Sequence, residues 1–202
     1  PVQAAQGSRD ELRTAITFSK RLKTKRKRRR VDSPPTKRRR SGRPGSLRIS
    51  AVHRLTLRDQ VQLAETGEGG KLDLLRGAAI EQPGGTARHQ LDVSAYRWKY
   101  GFGLAAIARY QSATRVDNPA GRLRFSRLAT FGFRTTYEFN YSDAILRKLP
   151  FLEETQVAFN IGNIFNARQR VRDAAGRTPD SFLPEVLDPF GRSVRLDIRK
   201  RF

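Results

Sequence analysis

The chain has 202 residues, with 41 Lys and Arg against 19 Asp and Glu for a net charge of +22, two His and no Cys. Without Cys there are no disulfides, thiol nucleophiles or thiolate metal sites, and two His far apart in sequence, His53 and His89, argue against a histidine-centred metal cluster. No run approaches the ~18 apolar residues of a spanning helix, a test that spanning strands escape because each carries only a weak hydropathy signal.

The charge is uneven. Between Lys20 and Arg43 stand 14 Lys and Arg against Asp32 alone, so +13 of the +22 belongs to one short block. That block describes a segment, not a domain. The first residues contain no apolar stretch of the kind a signal peptide needs, and residues 1–11 read as a flexible start.

From residue 12 the chain alternates. Leu12, Thr14, Ile16, Phe18 and Leu22 oppose Arg13, Ala15, Thr17, Ser19 and Arg21, which is the period of a strand, interrupted only at Lys20. The basic, Pro-containing stretch 23–46 follows; like charge with Pro34, Pro35 and Pro44 precludes a packed core there and predicts a solvated loop. A second strand opens near Leu47, with Ile49, Ala51, Leu55 and Leu57 on its apolar side. Residues 64–87 are rich in turn signals, and the apolar insert LDLLRGAAI within them reads as a helical turn or a folded-over loop. A third strand carries Leu91, Val93 and Ala95 against Gln90, Asp92 and Ser94. A fourth carries Leu104, Ala106, Ala108 and Tyr110 against Arg109 and Gln111, with Ile107 out of pattern. After the turn-like DNPAGR comes the clearest strand, where Phe131, Phe133, Thr135, Tyr137, Phe139 and Tyr141 alternate with Thr130, Gly132, Arg134, Thr136, Glu138 and Asn140. Val157, Phe159 and Ile161 mark a sixth strand. The last ten residues, SVRLDIRKRF, place Val194, Leu196, Ile198, Lys200 and Phe202 on one side and only polar groups on the other.

Strands that are apolar on one side and charged on the other, about ten residues long, suit a wall between lipid and a wet lumen. The predicted fold is therefore all-β: an antiparallel transmembrane β-barrel segment of about seven strands, an incomplete barrel. With sequential antiparallel strands, one rim collects Tyr96, Trp98, Tyr100, Tyr137, Phe139 and Tyr141, as an interfacial aromatic belt would. Strand parity puts the basic stretch on this rim too. Loops 64–87, 112–122 and 166–191 fall on the other rim and are the expected ligand-facing segments, although no individual ligand-binding residue can be named.

The tail carries a resemblance. VAFNIGNIFNARQRVRD followed by LDPFGRSVRLDIRKRF resembles the C-terminal end of TonB-dependent outer-membrane receptors, where an N-I-F-N strand end, a D-P-x-G-R turn and a terminal L-x-I-R-K-x-F strand recur; here these are residues 163–166, 188–192 and 196–202. SLRISAVHRLTLRDQVQL, LDLLRGAAI and RHQLDVSA are similar to barrel segments of the same family, so the likeness covers most of residues 12–202. The resemblance implies a Gram-negative outer-membrane location and energy-coupled uptake of iron chelates or other scarce nutrients. It also implies a barrel of about 22 strands, a plug folded inside it, and a box engaging TonB. Neither plug nor box is visible, so the chain reads as a C-terminal fragment that meets TonB only through an absent N-terminal region. Implied partners are outer-membrane lipid, lipopolysaccharide and the barrel assembly machinery, which in this family reads the terminal strand; Val194, Leu196, Ile198 and Phe202 match that signal and Lys200 departs from it. No catalytic residue, metal ligand or cofactor is expected.

Other readings compete. KRKRRR and KRRR could neutralise phosphates, giving a soluble basic β-protein that binds nucleic acid through residues 20–43, but no aromatics are interleaved and no nucleic-acid module is recognisable elsewhere. GEGGK lacks the spacing of a phosphate loop. Glu153 and Glu154 are adjacent in a strand approach and point apart. Arg109, Arg134, Glu138 and Arg195, all on the polar side, are expected to pair across strands.

Overall fold

The computed structural model describes residues 6–22, 45–62, 70–78, 84–118, 121–141 and 143–201. Among them lie eleven strands: β1 (Gln6–Leu22), β2 (Gly45–Gln62), β3 (Lys71–Asp73), β4 (His89–Lys99), β5 (Phe102–Gln111), β6 (Thr114–Asn118), β7 (Gly121–Phe125), β8 (Leu128–Glu138), β9 (Thr155–Gly162), β10 (Val171–Arg172) and β11 (Ser193–Lys200). Two short helices, α1 (Asp143–Lys148) and α2 (Pro184–Leu187), complete the set. The main sheet runs β1-β2-β4-β5-β8-β9-β11 with β3 laid against β2, and every pairing is antiparallel. The protein is thus all-β and antiparallel, and the seven long strands are those whose alternation is legible in the sequence. The sheet is open. Its edges β1 and β11 do not pair with each other.

Register turns seven separate alternations into two continuous surfaces. Following the paired residues across the sheet, one row reads Phe18, Ile49, Ala95, Ala106, Phe133, Ile161 and Val194, apolar in every strand. The row displaced by one residue reads Ser19, Arg48, Tyr96, Ala105, Arg134, Asn160 and Arg195. A one-residue slip in any strand would exchange the two faces.

Two differences from the expected elements have local causes. β1 starts at Gln6, inside the stretch read as flexible, because Arg58 pairs with Asp10 at 3.7 Å and Arg54 with Glu11 at 3.1 Å across the β1–β2 ladder. Hydrophobic alternation does not report such cross-strand charge pairs. In β2 the register shifts opposite Asp10 and Glu11, leaving Leu57 without a partner. Such a bulge reverses the parity beyond it, so Arg58 lies where the apolar face would have continued.

The long-loop rim carries its own small lobe. Asp117 and Asn118 pair with Arg122 and Gly121 in a hairpin, β6–β7, to which β10 adds a third strand. Val116, Leu123, Phe125 and Val171 form a buried cluster with Phe182 packed against it; Phe125 and Phe182 meet edge to face at 5.6 Å. The insert LDLLRGAAI begins as β3 and continues into a 3-10 turn (Leu74–Arg76), capped by Asp73 accepting from the amides of Leu75 and Arg76. That turn is tied to β6 by Arg115 Nε donating to the Arg76 carbonyl at 2.8 Å. β3 returns along the end of β2 without crossing the sheet, so it leaves strand parity unchanged. Leu22 and Gly45, from which residues 23–44 depart and return, accordingly sit on the same rim as the β4–β5 turn.

Candidate functional site

Among the described residues the main sheet has no apolar core. Among the described residues, the buried hydrophobics are Ala87, Val116, Leu123, Phe125, Ala158 and Val171, and the one cluster among them belongs to the rim lobe. The apolar face is bare: Leu12, Ile16, Phe18, Ile49, Phe102, Phe131, Phe159, Val194, Leu196 and Ile198 are all exposed. At about 1.5 kcal/mol or more for each large side chain that stays in water instead of an apolar medium, these ten forgo on the order of 15 kcal/mol. That is comparable with the whole stability of an ordinary domain, and nothing among the described residues covers the face.

Of the residues expected to form an assembly signal, Val194, Leu196 and Ile198 stand in line on the apolar side of the edge strand β11, each more than 60% exposed. Phe202 lies outside the described residues. Lys200, the departure from the pattern, reaches back to the carbonyl of Phe151, and the Arg201 amide donates to the Glu154 carbonyl at 3.2 Å. The strand end is therefore tied to the β8–β9 connection.

The two tail motifs interlock. Asn163 and Asn166 both adopt left-handed φ, +48° and +51°. The Asn163 side chain pairs twice with Ala167, donating to its carbonyl at 2.8 Å and accepting from its amide at 2.9 Å. Asn166 Oδ1 accepts from the Arg192 amide at 3.0 Å, while Asp188 Oδ1 accepts from the Gly191 amide at 2.9 Å. Gly191 has φ +54°, and a Cβ there would collide with Asn166 Oδ1. Residues 163–166 and 188–192 thus form a clasp immediately above β11, setting where the terminal strand enters the sheet.

The aromatics expected at the interface divide. Tyr96 and Trp98 lie on the polar face, because they share parity with Asp92 and Ser94 in β4. The Trp98 ring covers Gly103, where a Cβ would come within 2.7 Å of it. Tyr100 occupies the two-residue β4–β5 turn with Gly101, both at positive φ as a type I′ turn requires, and Lys99 Nζ lies 5.0 Å from its ring centre. Tyr137 is on the apolar face and meets Phe139 edge to face at 5.1 Å. Phe139 and Tyr141 open and close a 3-10 turn in place of the strand end that alternation predicts.

On the polar face, Tyr96, Trp98, Arg134, Thr136, Glu138 and Gln156 line an open cleft of about 440 Å³. The polar-side arginines do not pair among the expected set. Arg109 meets Asp92 at 3.6 Å and Arg195 meets Asp197 at 3.2 Å, while Asn160 donates to the same Asp197 carboxylate at 3.0 Å. Glu153 and Glu154 are both exposed. Of the loops expected to face a ligand, the described parts of 64–87, 112–122 and 166–191 all contribute to the lobe rim.

Sequence distance misleads for the histidines. β2 and β4 bring His53 Nε2 to 3.2 Å from His89 Nδ1, with ring planes 10° apart, so one imidazole donates to the other. Among the described residues no group of three or more possible metal ligands forms. Neither family models, curated proteins nor solved structures provide a match to this chain.

Proposed function

We propose that the chain forms a wall section of an outer-membrane β-barrel of the TonB-dependent receptor kind, taking part in energy-coupled uptake of iron chelates or other scarce nutrients. The observation that carries this reading is the apolar face, continuous across seven strands and exposed at ten large side chains, set back to back with an arginine-rich polar face and with no core beneath either among the described residues. Water-soluble sandwiches cover one face of each sheet with another layer. A barrel wall has lipid on one side and water on the other, and it needs neither layer nor core. Strand length agrees. β4, β5 and β8 run for 11, 10 and 11 residues, the ~9–11 that a tilted strand uses to cross the hydrocarbon layer. The tail resemblance supplies the family, and the clasp gives its two motifs a joint physical role. In this reading the chain has no catalytic step of its own: the lobe rim faces the ligand, and the polar face meets the lumen.

Fractionation tests it. The chain should be extracted with detergent from the outer membrane and migrate faster unheated than boiled on a denaturing gel. Recovery as a soluble, salt-sensitive complex with DNA would replace the barrel with a nucleic-acid-binding protein acting through residues 20–43.

A further inference from the structure

The outward face is sorted by charge as well as by polarity. Its main-sheet positions on the short-turn side of the β2 bulge include no Asp or Glu, and their four Lys and Arg, namely Lys20, Arg97, Lys99 and Lys200, all lie in the last rows before the short-turn rim; Asp10, Arg58 and Asp73 stand beyond the bulge, at the other end. Lys20 and Arg97 flank Leu47 from the two neighbouring strands, and Lys99 follows Arg97 on the same side of β4. With strands ~4.8 Å apart and same-face residues ~7 Å apart along a strand, three long basic side chains can converge on one anion. Lys20 and Arg97 are exposed, and no carboxylate of the described residues pairs with Lys20, Arg97 or Lys99. Above them the face is apolar through Leu47, Ile49 and Leu104. A cationic corner beneath an apolar wall matches an amphiphile with an anionic head and acyl chains.

We infer that Lys20, Arg97 and Lys99 bind the phosphate headgroup of an anionic glycerophospholipid, whose chains lie along Leu47 and Leu104. This inference rests on the membrane-wall reading and adds to it a specific lipid site on one edge. Basic residues near an anionic lipid surface each contribute roughly fivefold in affinity, so removing three weakens retention on the order of 100-fold.

The test uses the full chain inserted into vesicles of phosphatidylethanolamine with one-fifth phosphatidylglycerol, extracted in mild detergent and weighed by native mass spectrometry for bound lipid. The wild type should retain phosphatidylglycerol, K20Q/R97Q/K99Q should lose it, and the charge-matched R13Q/R48Q/R199Q, altered on the polar face, should keep it. Equal retention by the first variant, equal loss by the second, or preference for lipid A in mixed vesicles would overturn the site. Failure of the wild type to insert at all overturns the membrane reading and this inference with it, whereas insertion without phosphatidylglycerol retention overturns the lipid site alone.

Discussion

Placing one charge in the middle of the apolar face separates a lipid-facing wall from a sheet in water. Ala106 is exposed in the row Phe18, Ile49, Ala95, Ala106, Phe133, Ile161 and Val194, two outward positions from Phe102 at one rim and two from Tyr110 at the other. A strand rises about 3.4 Å per residue and a barrel strand tilts by about 40°, so each outward step is worth about 5 Å of depth. Ala106 therefore sits about 10 Å below either edge of the band, close to the midplane. Arginine at that depth costs about 2–4 kcal/mol, falling toward zero at the interfaces. Changing Ala106 to Arg removes no large side chain, so the cost reports the medium and not a lost contact. The matched control is Ser94→Arg, on the polar face opposite Ser50 and Ile107, expected within about 0.5 kcal/mol of wild type. Urea unfolding in vesicles, followed by emission of Trp98, the one tryptophan of the chain, measures both. A cost below about 0.5 kcal/mol for Ala106→Arg, equal to that of Ser94→Arg, would show that water wets the apolar face and would refute the wall.

Four further outcomes are expected. Gly191→Ala should destabilise by about 2 kcal/mol or more through its left-handed φ and the clash with Asn166, Asn166→Ala by about 1 kcal/mol, and the double variant by less than their sum; strict additivity in urea midpoints would dissolve the clasp. Gly103→Ala should cost about 1–3 kcal/mol by overpacking against Trp98 and shift its emission, and an unchanged spectrum would contradict the ring position. Phe125→Ala should cost about 3 kcal/mol confined to the lobe, read as faster amide exchange in β6, β7 and β10 with β4 and β5 unchanged. Phe202→Ser should lower outer-membrane incorporation, measured as the heat-modifiable fraction on gels; undiminished incorporation would remove the terminal residue from the assembly signal.

The seven long strands were legible because each is apolar on one side and polar on the other, which writes a period of two into ten or so residues. Where that demand lapses, so does the signal. β3 and β10 are three and two residues long, too short to show any period. β6 and β7 bury Val116, Leu123 and Phe125 in a lobe core that contributes only a few apolar residues. The β1 extension is held by Arg54–Glu11 and Arg58–Asp10, which alternation reads as featureless polarity. Tyr96 and Trp98 stand close to the β4–β5 turn, and counting from Val93 and Ala95 puts both on the polar face. His53 and His89 meet because β2 and β4 are neighbours, a fact of topology that no spacing within the sequence carries.

In the proposed role the two parts of the molecule would answer to different solvents. The lobe keeps Val116, Phe125 and Val171 away from water within its own three strands, so its shape survives at an aqueous rim. The sheet offers no such shelter: its backbone ladder satisfies the main chain, but its apolar face is stabilised only by what surrounds it. The boundary between the two regimes falls at identifiable residues. Above Leu12 and Leu55 the outward face turns to Asp10 and Arg58 once the bulge at Leu57 has reversed parity, and below Leu47 it turns to Lys20, Arg97 and Lys99. An apolar band closed by charge at both ends, on strands that continue beyond it in β1 and β2, is what a fixed slab of hydrocarbon would select. A partner protein's surface would instead leave a patch bounded in all directions, including across the strands, and the row from Phe18 to Val194 has no such lateral boundary.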